Sequence, residues 1–382
     1  MISFSLTDEQ EMLRQEARKF AQKEIIPVAA QHDKSGEFPR DIVQKAFDMG
    51  LMNDVVPEEY GGPGTSYVDS CIISEELAAG CAAVATTVMA NSLALTPLAL
   101  AGSDEQKKRF LPPMCEKLEF AAFCLTEPGA GSDVGAISTT AVRDGDHYVI
   151  NGTKHFITNG GVAGLYTVFA STDRSRGARG LSAIVVKKDE TPGVSTGKEL
   201  DKMGQSASNT TEVVFEDARV PVENRLGREG QGFKIAMMTF DTTRPVVAAV
   251  SVGVARAAYE YAVEYLKGRV QFGAPLSKNQ AIQFKVADMA IKIAAARLLA
   301  WHAAWMMDNG MQQSKEAAIA KAFAADAAME ITTSAVQLFG GYGYSKEYPV
   351  EKLMRDAKLL QIYEGTSEIL RLVVGRNVFK GK

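Results

Sequence analysis

The chain has 382 residues, 46% of them apolar and 23% charged, with a formal net charge of −4. That length accommodates two or three domains with an ample core. The mild acidity, with no lysine or arginine run, argues against a nucleic-acid surface.

From Thr7 to about Phe120 the pattern is helical. The N-terminus, Met1 to Gln10, lacks the basic and apolar regions of a signal peptide and the arginines of a mitochondrial transit peptide, so the cytoplasm is the expected compartment. Thr7 with Gln10 reads as a capping box, and Leu13, Ala17, Phe20, Ala21 and Val28 recur at helix spacing. A loop of turn residues follows at Pro57 to Pro63. Ala78 to Ala101 carries no charge, and its small residues read as a buried helix with a close neighbour or as the wall of a pocket, the structural reading being favoured. The longest apolar runs are alanine-rich and short of a membrane span, so no integral membrane segment is expected.

From Ala121 to about Val220 the period changes. His147 to Thr153 carries an Asn151-Gly152 pair flanked by strand formers, which predicts a hairpin turn. Leu165 to Ala170, Leu181 to Val186 and Thr211 to Phe215 are further short strand-prone runs. Several such strands without intervening helices predict an antiparallel sheet or barrel. Arg174, Arg176 and Arg179 lie in a Ser/Gly-rich stretch that reads as a solvated loop.

From Gly230 helices return at about 230–267, 278–308, 314–338 and 366–377, as in a four-helix bundle. Phe272-Gly273-Ala274-Pro275 supplies a turn, and Phe339 to Tyr344 forms a glycine loop. Trp301, Trp305, Met306 and Met307 read as core or subunit interface. The fold class is therefore α+β multidomain: a helical domain over 1–120, an antiparallel β domain over 121–228, and a four-helix-bundle domain over 229–382.

Candidate chemistry sits in a few strings. Leu359, Leu360, Ile362 and Tyr363 precede Glu364, which stands on a tight loop between two helical stretches, and Thr366 is placed to cap the second of them. A carboxylate held among apolar side chains has its pKa raised, which suits a general base near neutrality. Phe123 to Asp133 is a glycine-containing loop. Gly129, Gly131 and Gly135 resemble a dinucleotide fingerprint, but Ile137 to Val142 continues as strand, so the helix that a Rossmann loop must open is missing. What is left is a loop with free backbone N–H groups and hydroxyls. Asp241 and Arg244, three apart in an apolar segment, read as a surface ion pair or as a buried arginine needing an anion. Cys71, Cys81, Cys115 and Cys124 show no C-x-x-C spacing, and His32, His147, His155 and His302 are scattered, so no metal is expected. No G-x-S-x-G is present for a serine hydrolase.

Taken together, Leu125-Thr126-Glu127-Pro128-Gly129-Ala130-Gly131-Ser132-Asp133, Phe156-Ile157-Thr158-Asn159-Gly160, Arg269-Val270-Gln271-Phe272-Gly273, Gln337-Leu338-Phe339-Gly340-Gly341-Tyr342-Gly343 and Tyr363-Glu364-Gly365-Thr366 resemble the acyl-CoA dehydrogenase family along essentially the whole chain. The resemblance implies FAD, an acyl-CoA substrate, an electron-transfer flavoprotein as acceptor, and a homotetramer built as a dimer of dimers. By matching position, Phe123, Leu125, Thr126, Gly131 and Ser132 line flavin or substrate. Phe156 and Thr158 stand near the flavin edge, and many relatives carry Trp where this chain has Phe156. Arg269, Gln271, Phe272, Gln280, Gln337, Gly340 and Gly341 match positions that hold adenine and pyrophosphate, partly across a subunit boundary. Thr366 and Glu368 match further FAD contacts. Asp241, Arg244 and Arg376 match CoA-associated positions, and Ser132, Met89, Tyr363 and Gly365 the substrate side.

Glu364 matches the catalytic base of straight-chain members. Relatives that place the base beside the arginine would need a carboxylate where this chain has Thr243. The reaction implied is removal of a proton from C2 and a hydride from C3 of the thioester, with flavin N5 accepting the hydride. The Glu364 N–H and a flavin ribityl hydroxyl are the expected donors to the thioester oxygen. The acyl group is expected to be short or medium. Branched or alicyclic groups stay open, as do an oxidase, an enoyl-CoA reductase and a non-catalytic member of the same fold.

Overall fold

The computed structural model describes residues 5–381. Helix α1 (Asp8–Phe20) starts at the expected box: the Thr7 hydroxyl accepts the Gln10 N–H, and the Gln10 side chain accepts the Thr7 N–H. It runs through a π turn into α2 (Ile26–Ser35), followed by α3 (Arg40–Asp48). The apolar segment expected as one helix over 78–101 is divided. Helix α4 (Tyr67–Gly80) ends and α5 (Ala82–Ala101) begins at Cys81, whose backbone is extended (φ −163°). Glycine at the end of α4 weakens helix continuation there. Short helices α6 (Asp104–Phe110) and α7 (Pro112–Glu116) close the N-terminal block.

Eight strands form the middle sheet: β1 (Ala121–Cys124), β2 (Thr140–Asp144), β3 (His147–Thr158), β4 (Leu165–Ser171), β5 (Leu181–Lys187), β6 (Val194–Thr196), β7 (Thr210–Pro221) and β8 (Arg225–Leu226). Their order is β6-β7-β3-β2-β4-β5-β8, with β1 paired to β4. Most pairs are antiparallel, whereas β1 and β2 meet β4 in parallel. The hairpin turn is not at Asn151-Gly152. It lies at Gly145-Asp146, between β2 and β3. Asn151 and Gly152 are inside β3, where the pairing with β7 shifts register. A Cβ on Gly152 (φ +150°) would stand 2.5 Å from the Thr139 Oγ1, so the glycine serves a bulge rather than a turn.

The C-terminal block holds α8 (Gly232–Gly268), a small hairpin of β9 (Val270–Gln271) and β10 (Ala274–Pro275), α9 (Gln280–Asp308), α10 (Ser314–Phe339), α11 (Pro349–Leu360) and α12 (Ser367–Phe379). Among the described residues this block thus has five helices: α11 is the helical stretch expected ahead of the Glu364 loop, outside the four ranges of the expected bundle. Helices α8, α9 and α10 pack on one another, α11 and α12 cover α10, and α4 lies along α8. That last crossing is close: a Cβ on Gly253 would come within 2.2 Å of the Glu75 carbonyl oxygen.

Two polar devices join the blocks. Glu75 and Glu76 of α4 are buried, and Arg256 of α8 bonds both, at 3.0 and 2.5 Å. Arg297 of α9 also grips Glu75, and Arg18 of α1 grips Glu76. Buried charge of this kind is tolerated only when paired. On the other side, Asn91 of α5 accepts the Ala121 N–H of β1 at 2.9 Å, while Thr167 of β4 donates to the Ala94 carbonyl at 2.7 Å. Against expectation, α5 and α8 are long and apolar enough to cross a membrane, but 78% of each apolar window is buried in this fold. They read as core helices.

Candidate active site

Glu364 sits on the turn between α11 and α12 in a left-handed conformation (φ +52°), which side-chain-bearing residues rarely adopt. Thr366 caps α12 through the Ile369 N–H, as expected. The Thr243 hydroxyl of α8 donates to the Glu364 Oε2 at 2.6 Å. The Oε1 is out of contact with solvent and has no hydrogen-bond partner. Burial raises the pKa of this carboxyl, against the pull of Thr243, Lys321 and Arg244. Thr243, passed over in sequence because it cannot act as a base, is therefore the group that holds the carboxylate.

Arg244 is buried, bonded to Asp241 at 2.8 Å and reaching the Glu364 carbonyl oxygen at 3.4 Å. The surface ion-pair reading is excluded for the arginine. Its guanidinium stands over the Phe240 ring, and Phe240 in turn meets the ring of Phe123 on β1. This chain of contacts brings the Glu364 turn to the strand that leads into the glycine loop. On the other side of the turn, the Tyr363 hydroxyl lies 3.5 Å from the Thr86 Oγ1 of α5, one turn before the buried Met89.

The glycine loop is anchored from below. Lys154 of β3, fully buried, donates to the Leu125 carbonyl at 3.1 Å and to Glu127 at 2.8 Å. Glu127 also accepts from the Ser138 and Thr139 N–H groups. The Thr126 carbonyl accepts the His155 N–H at 2.8 Å. Leu125 and Thr126 are thereby fixed to Lys154 and His155, next to Phe156 in β3, whereas Gly131 and Ser132 stay exposed on the loop. Phe156 is 63% exposed with φ +58°, a large apolar ring left uncovered in a strained conformation.

Arg269, Gln271, Gln337, Gly340 and Gly341 line one cavity of about 730 Å³ with Tyr265, Phe339 and Tyr342. The Arg269 guanidinium stands 5.3 Å from the Tyr342 ring centroid. Aromatic walls, a fixed cation and two open glycines suit the adenine and pyrophosphate of a dinucleotide. Phe272 and Gln280 lie outside this cavity, exposed, with Phe272 at the tip of the β9-β10 hairpin. Thr366 and Glu368 line a separate cavity of about 370 Å³ with Asp326, Gln361 and Arg371. Asp326 and Gln337 are both on α10, eleven residues apart, which separates the two cavities by about 16 Å along the helix. Arg376 is exposed further along α12. The expected cofactor residues therefore form three groups on one chain, and their donors and aromatic faces fit FAD.

A helical domain, a β-sheet domain and a helical domain, with a carboxyl oxygen shielded from solvent and a separate cavity suited to a dinucleotide, fit a cofactor-dependent enzyme. Comparison with known proteins agrees. The N-terminal, middle and C-terminal domain models of acyl-CoA dehydrogenase match residues 7–117, 122–218 and 230–379. A short-chain-specific acyl-CoA dehydrogenase of Clostridium acetobutylicum is 47% identical over 99% of this chain and 100% of its own. The solved butyryl-CoA dehydrogenase of Megasphaera elsdenii superposes with a TM-score of 0.96 at 46% identity, covering 99% and 100% of the two chains. A chain in the solved structure of the electron transferring flavoprotein of Acidaminococcus fermentans gives a TM-score of 0.97 at 47% identity, again over 99% and 100%. The chain belongs to the acyl-CoA dehydrogenase family, and is an FAD-dependent oxidoreductase.

The Lys154–Glu127 pair gives a test of how the loop is held. Replacing Lys154 with Met strands a buried carboxylate and should cost about 3–5 kcal/mol in urea unfolding. The Glu127 carboxyl is held down to about 2, although burial alone would raise it. Its contribution is therefore full above the ordinary glutamate value and lost as pH falls through about 2. The destabilisation caused by Glu127→Gln should accordingly be larger at about pH 6 than at about pH 3.

Proposed function

We propose that this protein desaturates a short acyl-CoA thioester between C2 and C3, with Glu364 as the base, and passes electrons to an electron-transfer flavoprotein. One observation carries the assignment of the base: a buried carboxylate with one oxygen held by Thr243 and the other unbonded. A base needs that combination, an orienting bond on one oxygen and a free lone pair on the other. The short-chain reading rests on the short-chain-specific and butyryl-CoA relatives, and the acceptor on the relative found in an electron transferring flavoprotein structure.

Glu364 would take the C2 proton on Oε1 while Thr243 keeps Oε2 in place. Bound FAD supplies the acceptor for the C3 hydride, which completes the two-electron oxidation. Among the described residues no acceptor takes the Glu364 N–H, which leaves it for the thioester oxygen. Stabilising charge there makes the C2 proton easier to remove. Arg244, neutralised by Asp241, would fix the substrate end of α8 rather than carry free charge into the slot.

The division at 120 and 228 is part of the same proposal, supported by β1 starting at Ala121 and α8 at Gly232. So is a cytoplasmic homotetramer. Phe284, Ile291, Leu298 and Trp305 recur every seven residues on α9, each between 43% and 65% exposed. That stripe suits a second copy of the chain, and single-chain separation of the cofactor groups suits cavities completed across subunits. Light scattering should give the mass of four chains, and a monomer would overturn this part.

For the chemistry, Glu364→Gln should retain FAD and bind butyryl-CoA, yet reduce the flavin about 10²–10⁴ times more slowly in anaerobic stopped flow. Full activity in that variant would remove the assignment. Because burial raises the Glu364 pKa, the wild-type rate should climb with pH on a limb above the ordinary carboxylate range.

A further inference from the structure

Lys321 of α10 is fully buried, and the reading of the sequence gave it no role. Its Nζ donates to the Tyr363 carbonyl at 2.8 Å and to the Gly365 carbonyl at 2.6 Å. Those are the two peptide oxygens on either side of Glu364. An ammonium so deep in the fold, hydrogen-bonded to two neutral carbonyls, is an unusual choice for structure alone, because a buried charge needs an anion. The charged groups that bear on it come from every element around it: Glu364 from the turn, Arg244 from α8, Asp326 from α10 itself and Glu368 from α12. Asp326 is already bound by Arg371, and Glu368 is exposed. Arg244 is bound by Asp241. Glu364 alone has a carboxyl oxygen shielded from solvent and no ion-pair partner, and it is the strongest attraction on Lys321.

We propose that Lys321 is the positioning residue of the base: it clamps the two carbonyls flanking Glu364, so fixing the left-handed turn that aims Oε1, and it presents the positive charge that the buried carboxylate faces. The proposal rests on Glu364 being the base. It makes two separable contributions. The clamp sets geometry, and misplacement of a reacting group by about 1 Å costs on the order of 10²-fold in rate. The charge favours the ionised carboxylate, so its removal raises the pH at which the base becomes competent. Burial brings the Lys321 ammonium itself down to about 8, so it is protonated at neutral pH and available for this role.

The test uses the FAD-loaded enzyme and stopped-flow flavin reduction by butyryl-CoA across pH. Lys321→Met keeps most of the apolar stem, one atom short of lysine, and removes both bonds and the charge. It should retain FAD and bind butyryl-CoA, reduce flavin about 10–100 times more slowly, and show its acid limb at higher pH than wild type. Lys321→Arg keeps the charge, and should leave the limb at the wild-type pH while losing rate. Should the Met variant fail to fold, Lys321→Gln retains an amide N–H donor group without the charge and is expected to show the same displaced limb. A merely structural lysine would alter stability or FAD content and leave the limb in place. An unshifted limb in a folded, FAD-loaded Met or Gln variant would overturn the proposal. Glu364→Gln distinguishes the two levels: if it reduces flavin normally, the base itself is wrong. If it is inactive and the Lys321 variants match wild type, the positioning role alone fails.

Discussion

A carboxylate kept out of water, with one oxygen bonded and one free, is the constraint around which the C-terminal half is arranged. Three helices that are distant in sequence must converge on one turn to hold it. Helix α8 brings Thr243 and Arg244, α10 brings Lys321, and α12, capped by Thr366, begins directly behind the turn. A carboxylate shielded from water and left without any of these would protonate, and could not serve as the proposed base. The long packed helices supply the rigidity, and the buried Glu75–Arg256–Arg297 cluster fixes α8 and α9 against α4. The site is therefore set by packing at a distance as much as by its own bonds.

The β domain meets the same demand from the opposite side. Lys154 and Glu127 form a buried pair beneath the loop that carries Leu125 and Thr126, so this exposed glycine loop has an interior anchor. Loops carry function when a scaffold positions them. Here the scaffold is a charged pair inside the sheet, and the Phe240–Phe123 contact ties that scaffold back to α8.

Local chemistry was legible in the sequence where it depends on neighbours along the chain. The capping box at Thr7, the cap at Thr366 and the turn holding Glu364 all appeared as expected. Strand runs from Leu165, Leu181 and Thr211 fell inside β4, β5 and β7. Asn151-Gly152 misled because the pair has turn chemistry, while tertiary contact with Thr139 turned it into a bulge within a strand. The division at Cys81 was missed although Gly80 carries a local signal for it, because the apolar run continues on both sides of the break. Lys321 was invisible, since a lysine in an alanine-rich helix looks like a solvated residue. Its partners lie 42 and 44 positions away. Lys154 and Glu127 were likewise 27 positions apart.

The most direct measurement is a crystal structure of the FAD-loaded protein with a non-oxidisable butyryl-CoA analogue. The expected result places the Glu364 Oε1 within contact distance of C2, with Oε2 still held by Thr243 and Lys321 still on the flanking carbonyls. A bound thioester whose C2 lies out of reach of Glu364, or a Glu364 side chain turned away with its hydrogen bonds to water, would contradict the assignment of the base.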